Sequence, residues 1–170
     1  MPFPLPFIPK LSYKTGGRKF GADRSKGRKH AGCDLIAPVG TEIFAVADGV
    51  VTDADLSKDF YHGTHSITVR HDHFTVRYCE VKGFAKGIRF GTAVKAGDVI
   101  AYVGKMLTLS MLHFELYSTS LPGELTVLAN KPYKRRSDLV DPTAFLDRLA
   151  QHVLQSHEAI QPPVNAGPPL

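Results

Sequence analysis

The sequence predicts a mainly β protein of one domain, with a single helix near its C-terminal end. Short runs of β-branched and aromatic residues, separated by turn residues, occupy residues 30–118. The 170 residues include 15 glycines and 12 prolines, which favour strands and turns over long helices. One later stretch, PTAFLDRLAQHVL, carries apolar residues at helical spacing. The length suits one ordinary domain with a sizeable core.

The predicted strands follow one another closely along the chain. TEIFAVADG alternates in part between apolar and polar residues, and GVVTDAD follows it. HSITVRH and HFTVRYCEV are joined by a tight turn at Asp72 and predict a hairpin. GTAVKAGDVIAYVG predicts two short strands separated by a turn at Ala96-Gly97-Asp98, and MLHFELYS predicts a further strand.

The chain after these strands begins with an irregular basic loop over residues 119–140. Asp141 then supplies an N-cap and Pro142 the first position of the helix, which we expect to pack on the edge of the sheet. The chain therefore divides into an N-terminal arm (1–18), the domain (19–155) and a proline-rich tail that is predicted to be disordered (156–170).

The composition narrows the class of protein. With 43% hydrophobic and 22% charged residues, the chain is typical of a globular domain. Its formal net charge of +5 favours an anionic partner, such as nucleic acid, an acidic membrane or an anionic wall polymer. Nucleic acid is not expected, because no array of stacking aromatics and no recognition-helix motif accompanies the basic residues. No stretch approaches the roughly 20 apolar residues of a membrane span, and the two cysteines form no disulfide framework.

Three side chains are candidate metal ligands. The stretch HAGCD places His30 and Asp34 four residues apart, which is about 13 Å in a straight strand. Zinc bonds are only about 2 Å long, so the chain must bend, and Gly32 permits a bend. His113, from the distant strand MLHFEL, would be a third ligand and leave one position for water, as in catalytic zinc sites. By itself, an isolated H-x-x-x-D pair is more often a surface coincidence.

Longer segments of the chain follow the pattern of a known family. FGADRSKGRKHAGCDLIAPVGTEIFAVADGVV contains G-R-x-H-x-G-x-D followed by A-P-x-G-T-x-I-x-A-x-A-x-G-x-V. GTAVKAGDVIAYVG contains V-x-x-G-x-x-I-x-x-V-G, and LHFEL contains H-F-E. In this order, over residues 19–118, the motifs resemble those of the LytM/lysostaphin-like zinc endopeptidases. The resemblance implies an open antiparallel β-sheet groove and one Zn²⁺ ion held by His30, Asp34 and His113.

Two positions depart from the pattern of that family. The family usually carries H-x-H before F-E, and Met111 stands at the first of these histidines. The family also usually carries Y-x-H, where this chain reads Tyr-Cys-Glu and ends at Glu80. Both histidines that do not bind the metal are therefore replaced. Glu80 is our candidate general base, because a glutamate has that role in H-E-x-x-H metalloproteases. The alternative is a salt bridge from Glu80 to Arg77 or Lys82.

Further residues have weaker assignments. His65 aligns with a groove-lining aromatic residue of the family, so it is a candidate substrate-binding residue. Cys33 and Cys79 flank site residues and, by strand alternation, are expected to face away from the metal as core thiols. Four basic residues of the 119–140 loop are expected to assist binding to anionic cell walls, namely Lys131, Lys134, Arg135 and Arg136.

Three functions compete at this point. The first is a zinc endopeptidase that cuts stem or cross-link peptides of peptidoglycan, for example a phage lysin or a secreted antibacterial effector. The second is a catalytically degenerate zinc-bearing module that binds or regulates at the wall. The third, a lipoyl-like structural domain, depends on VKAGDVIAYVG alone and lacks the lysine-bearing turn of a carrier.

The opening stretch MPFPLPFIP bears on how the protein would reach the cell wall. Prolines interrupt it and it has no basic region, so we do not interpret it as a Sec signal peptide and expect an arm packed on the domain. We therefore expect synthesis in the cytoplasm and action at the wall or in the periplasm after non-Sec delivery or lysis. Delivery machinery or an immunity protein would then be additional partners.

Overall fold

The computed structural model describes residues 1–158, which contain nine β-strands and one α-helix. Short 3-10 turns at Gly16–Arg18 and Ser25–Gly27 precede the first strand. In chain order the strands and the helix are β1 Cys33–Ile36, β2 Glu42–Phe44, β3 Gly49–Ala54, β4 His65–Arg70, β5 Thr75–Phe84, β6 Ala93–Val94, β7 Val99–Val103, β8 Met111–Tyr117, β9 Leu139–Val140 and α1 Thr143–Glu158.

The strands form one antiparallel sheet. Its main path runs β1-β8-β5-β4-β3-β6, while β7 pairs with both β2 and β5, and β9 pairs with β8. The sheet is open, because β1 and β6 end this path without pairing to each other. The predicted fold class, an open antiparallel sheet with one C-terminal helix, is confirmed. Strands distant in sequence thus become neighbours, and β1 lies directly beside β8.

The central hairpin is the one predicted around Asp72. Strands β4 and β5 pair in register from Arg70 opposite Thr75 to His65 opposite Val81. The two strands of GTAVKAGDVIAYVG also form, but they do not pair with each other. Strand β6 pairs with β3, and β7 pairs with β2 and β5, so this segment joins two parts of the sheet.

A β-bulge interrupts β5 beside β4. The register shifts between His65 and Ser66, and Glu80 is the additional residue on β5. The backbone of Glu80 is left-handed, with φ of 62°, which non-glycine residues seldom adopt. Its carbonyl oxygen accepts a hydrogen bond of 2.8 Å from Gly104 N–H, and a Cβ on Gly104 would lie only 2.6 Å from that oxygen. The bulge therefore breaks the alternation of side chains along β5 and redirects Glu80.

The hydrophobic core lies on the face of the sheet that carries Tyr78 and Phe114. Their rings meet edge to face at 5.6 Å between centroids, and Phe145 of α1 stacks on Phe114. The predicted N-cap is confirmed, because Asp141 Oδ1 accepts a hydrogen bond of 2.8 Å from Thr143 N–H. The helix packs on the core face of β8 and of β1, the strand that ends the main path of the sheet, with Phe145 against Phe114 and Thr143 beside Cys33. Its position leaves the opposite face of β8 open for a site.

The N-terminal arm lies against the domain. Phe3 and Leu5 are buried, and Pro4 accepts a backbone hydrogen bond of 2.9 Å from Phe44 N–H of β2. The predicted tail at 156–170 begins within α1, since the helix continues to Glu158, and residues 159–170 lie outside the described residues. In the part of the chain that the structure describes, no helix has the length and apolarity needed to cross a membrane.

Candidate metal centre

Three side chains from two distant segments meet at one point on the open face of the sheet. His30 Nε2 lies 3.0 Å from Asp34 Oδ1 and 2.9 Å from His113 Nδ1, and His113 Nδ1 lies 2.9 Å from Asp34 Oδ1. Asp34 on β1 is paired directly with His113 on β8, so the pairing of these strands brings the two side chains together. The structure thus assembles the three predicted ligands, which we call the triad.

Gly32 allows the close approach that the triad needs. A Cβ on this residue would overlap the carbonyl oxygen of Phe114 and would touch the ring of His113. The chain bends at Gly32, as the spacing of His30 and Asp34 predicted, but the need for glycine arises from contact with β8. A larger residue would push His30 and Asp34 away from His113.

The donor set of the triad fits zinc. Ligand atoms of a tetrahedral zinc site lie roughly 3.3 Å apart, because the bonds are about 2.0–2.2 Å long. The triad atoms are 2.9–3.0 Å apart, which is close to that spacing. Two imidazole nitrogens and one carboxylate oxygen are also the ligand types of catalytic zinc sites, which keep one further position for water or substrate.

Hydrogen bonds behind the triad set the tautomers of both histidines. His30 Nδ1–H donates to the carbonyl oxygen of Lys19 at 2.8 Å, and His113 Nε2–H donates to Glu115 Oε1 at 3.1 Å. The other nitrogen of each ring faces the triad, where it can bind a metal once any proton on it is released. Such outer hydrogen bonds orient metal-binding histidines and increase their basicity.

Glu115 is fully buried and is held by several groups. Tyr117 O–H donates to its Oε2 at 2.7 Å, and Arg135 Nε–H donates to its Oε1 at 2.8 Å. Arg77 lies 3.6 Å from the same carboxylate. Burial would raise the pKa of Glu115, but the hydrogen bond from His113 and the charges of the two arginines hold it well below its usual range. Glu115 is therefore an anion beside His113.

The site favours a positive charge on His113, which lies between the carboxylates of Asp34 and Glu115. Burial lowers the pKa of His113, but hydrogen bonds with Asp34 and Glu115 outweigh burial and raise it to about 9. Burial would raise the pKa of Asp34, but hydrogen bonds from His113 and His30 outweigh burial and lower this pKa. The carboxyl group of Asp34 therefore stays ionised. A cation bound at the triad would supply this positive charge beside Asp34, while Glu115 would keep its hydrogen bond from His113.

Glu80 is a buried carboxylate in the cavity that contains the triad. Its side chain is 7% exposed, and Oε2 has no hydrogen-bond partner among the described residues. Burial raises the pKa of Glu80 to about 7; the charge of Asp34 raises it further, while the charges of His113 and Arg24 oppose the rise. The alternative of a salt bridge to Arg77 or Lys82 is not observed among the described side chains. An unpaired buried carboxylate beside a metal triad is typical of functional sites.

The cavity around the triad has a volume of about 880 Å³. Met111, at 4% exposure, lies in its apolar wall with Met106 and Leu109, as expected for a side chain that transfers no proton. Phe60 also lines the cavity, with its ring 4.8 Å from the Arg77 guanidinium. A second cavity of about 630 Å³ shares Arg77 and Thr126 with the first, so the two border one another.

The structure changes the predictions for the two cysteines and leaves that for His65 open. Cys33 packs in the core, as predicted, but Cys79 does not face away from the triad, because it is paired directly with His113. The bulge at Glu80 explains the error, since simple alternation does not continue through it. His65 bonds the carbonyl oxygen of Lys58 and does not line the cavity, so its role in substrate binding stays a prediction.

The predicted basic surface of the 119–140 loop is only partly available. Arg135 is bound to Glu115, and Arg136 forms an ion pair of 2.6 Å with Asp138. The sequence did not indicate that Arg135 binds Glu115, because nothing in its spacing connects it with the strand that carries His113. Glu115 could have been found, since strand alternation places it on the face of His113.

Comparisons with known proteins agree with this geometry. The profile of peptidase family M23 matches residues 28–124. Over 106 residues the chain is 34% identical to the L-Ala–D-Glu endopeptidase of Bacillus subtilis, covering 60% of this chain and 30% of that protein. It is also 29% identical over 118 residues to an uncharacterized metalloprotease of Buchnera aphidicola, covering 66% of this chain. In both matches the chain spans only 30% of the length of the relative.

Solved structures share the fold. The catalytic domain of the antimicrobial peptidase lysostaphin from Staphylococcus simulans superposes with a TM-score of 0.59 at 23% identity, covering 79% of this chain and 92% of that one. A zinc containing peptidase from Vibrio cholerae gives a TM-score of 0.54 at 26% identity, covering 69% and 37%. The profile match covers more than half of the chain, the fold agrees, and the predicted LytM/lysostaphin-like family is confirmed: the chain belongs to peptidase family M23.

Proposed function

We propose that the protein is a zinc-dependent endopeptidase that hydrolyses peptide bonds of bacterial peptidoglycan. The observation that carries the proposal is the triad of His30, Asp34 and His113 beside the unpaired carboxylate of Glu80 in one cavity. Membership of family M23, the zinc of the Vibrio cholerae neighbour and the name of the Bacillus subtilis relative support it. D-Glutamate, which that name contains, is a constituent of wall peptides.

In this proposal His30, Asp34 and His113 hold the zinc ion. Bound zinc would polarise the scissile carbonyl and make water more acidic. Glu80 accepts a proton from the attacking water at its carboxylate, which lines the same cavity, and later returns it to the leaving amine. Met111 keeps the wall beside the triad apolar. Glu115 holds the ring of His113 in place through Nε2–H.

The second candidate is a zinc-bearing module that binds or regulates at the wall without catalysis. Met111 favours it, because an apolar thioether cannot transfer a proton at a position where the family usually has histidine. Glu80 argues against it, since a degenerate site gains nothing from a strained, buried and unpaired carboxylate.

Digestion of defined cell walls distinguishes the two candidates. Purified sacculi incubated with the protein and zinc should release soluble muropeptides, and mass spectrometry should identify the cut bond. Asp34→Ala should release none, whereas His73→Ala, an exposed histidine outside the cavity, should match the parent. Retention on sacculi without any released fragment would support the non-catalytic module. A phage or effector origin, a delivery system and an immunity partner stay predictions.

A further inference from the structure

The cavity around the triad is strongly basic. Six basic side chains line it against three acidic ones, and one of the acidic residues, Asp34, belongs to the triad. Four of the six come from the short segment before β1, and we call three of these four the basic wall: Arg18, Arg24 and Arg28. A neutral substrate such as an oligoglycine segment gives these charges nothing to bind.

Several of the other cations are already engaged by the protein. Arg77 and Arg135 contact the buried carboxylate of Glu115. Lys29 forms an ion pair of 2.6 Å with Asp23. These charges are neutralised within the protein, so they add little attraction for a ligand.

Arg28 differs from these residues. It is half-buried, and its guanidinium has no hydrogen-bond or ion-pair partner among the described side chains. Arg24 is fixed beside it, because Arg24 N–H donates to the Arg28 carbonyl oxygen at 2.9 Å. The Arg24 guanidinium in turn donates to Gly17 O at 2.8 Å and lies 3.6 Å from Asp34. A guanidinium without a protein partner keeps its donors free, and its geometry allows it to bind a carboxylate through two parallel hydrogen bonds.

We infer that the substrate is a peptide that carries a free carboxylate, and that Arg28 binds this carboxylate beside Arg24. The inference rests on the proposed function and specifies its substrate class. A wall stem peptide has free carboxylates on its glutamate residue and at its C-terminal end, whereas the interior of a glycine bridge has none. Arg28 is thus the specificity-determining residue, and the carboxylate lies along the basic wall while the peptide crosses the triad.

Peptide binding tests the inference separately from cleavage. Two synthetic stem peptides, L-Ala-γ-D-Glu-L-Lys-D-Ala with free carboxylates and the same peptide with every carboxylate amidated, are titrated into the zinc-loaded protein by calorimetry. Mass spectrometry checks that each peptide is intact afterwards. We expect the free acid to bind about tenfold more tightly or better, as charge-assisted hydrogen bonds contribute. Arg28→Gln should remove that difference and leave the affinity for the amide unchanged.

Arg89→Gln is the matched control, because Arg89 is exposed and lines neither cavity. Equal affinity of the parent protein for acid and amide overturns the inference, and so does an equal loss for both peptides in Arg28→Gln. A third ligand, a glycerol phosphate oligomer, represents the phosphates of wall polymers. If Arg28→Gln weakens binding of this oligomer but not of the free-acid peptide, Arg28 binds wall phosphates and the inference is overturned. Failure to digest sacculi would count against the proposed function and would leave this binding result to decide the substrate class.

Discussion

Glu115 lies directly behind His113, with its Oε1 atom 3.1 Å from His113 Nε2, on the side of the ring away from the triad. The two residues are two positions apart on β8, so they share a face of the strand. Tyr117 continues the same face and donates its hydroxyl to the other carboxylate oxygen at 2.7 Å. One strand thus supplies a candidate ligand, the group that orients it and the group that holds the orienting carboxylate.

Loss of the Glu115 charge should weaken zinc binding. In Glu115→Gln the side chain keeps its size, but His113 Nε2–H loses an anionic acceptor and Arg135 loses its ion-pair partner. Partners of this kind contribute about 10- to 100-fold to metal affinity. Competition with a chromogenic chelator should therefore show zinc binding weakened by that factor.

The control for this substitution is Glu42→Gln, which makes the same change at an exposed position of β2. Thermal unfolding of each variant separates a loss of metal affinity from a loss of fold. A Glu115→Gln protein that is folded and retains the zinc affinity of the parent would show that Glu115 does not orient the ligand.

Zinc should bind in a ratio of about one per chain through the triad. Removal of one imidazole in His113→Ala leaves His30 and Asp34, which are too few ligands for a stable site. Metal analysis of the purified variant should then show almost no zinc, with His73→Ala as the exposed histidine control. Stoichiometric zinc in His113→Ala would exclude the triad as the metal site.

Acid should destabilise the fold through His71, which lies away from the triad. Burial lowers the pKa of His71, against smaller opposing effects of backbone hydrogen bonding at Asp48 and Ala47 and of the Asp48 charge. Its Nδ1–H donates to the Asp48 carbonyl oxygen at 2.9 Å, while Nε2 is buried without a partner. The unfolded chain therefore binds this proton more readily than the folded one. Neutral His71 therefore makes its full contribution to the free energy of unfolding above about pH 6.5, the pKa of an unperturbed histidine. This contribution is lost as the pH falls from there through the lower pKa that His71 has in the folded protein.

Urea unfolding at several pH values measures this effect. His71→Asn preserves a donor for the Asp48 carbonyl and removes the titration, so its free energy of unfolding should fall less between pH 7 and pH 5 than that of the parent. One proton contributes at most about 1.4 kcal/mol per pH unit. His73→Asn is the exposed control. Identical pH slopes in His71→Asn and the parent would contradict the assignment.

Local patterns predicted the strands, since alternation and turn residues located the hairpin around Asp72. The triad was predicted through the resemblance to the LytM/lysostaphin-like family, which joined His30 and Asp34 to the distant His113. The bulge at Glu80 was not predictable, because it depends on the register between β4 and β5 and on the close approach of Gly104. For that reason the prediction that Cys79 faces away from the triad was wrong. The contact of Arg135 with Glu115 depends in the same way on how an irregular loop folds back over β8.

The bulge supports the proposed role of Glu80 as the general base. A left-handed residue with φ of 62° costs on the order of 1–3 kcal/mol, and such strain persists only where the surrounding structure imposes it. The carboxylate is buried, shares a cavity with the triad, and has one oxygen without a partner among the described residues. Burial also raises its pKa to about 7, which makes it a stronger base than an exposed glutamate.

Glu80→Gln should therefore abolish most of the turnover without loss of zinc. The amide keeps the size of the side chain and cannot take a proton from the attacking water, so the rate should fall by about a hundredfold to ten-thousandfold. Release of muropeptides from sacculi gives the rate, metal analysis gives the zinc content, and thermal unfolding reports the fold. Glu42→Gln, exposed on β2, should digest walls as the parent does. If Glu80→Gln also matches the parent, the base is another residue, because the amide at this position has no basic lone pair to offer.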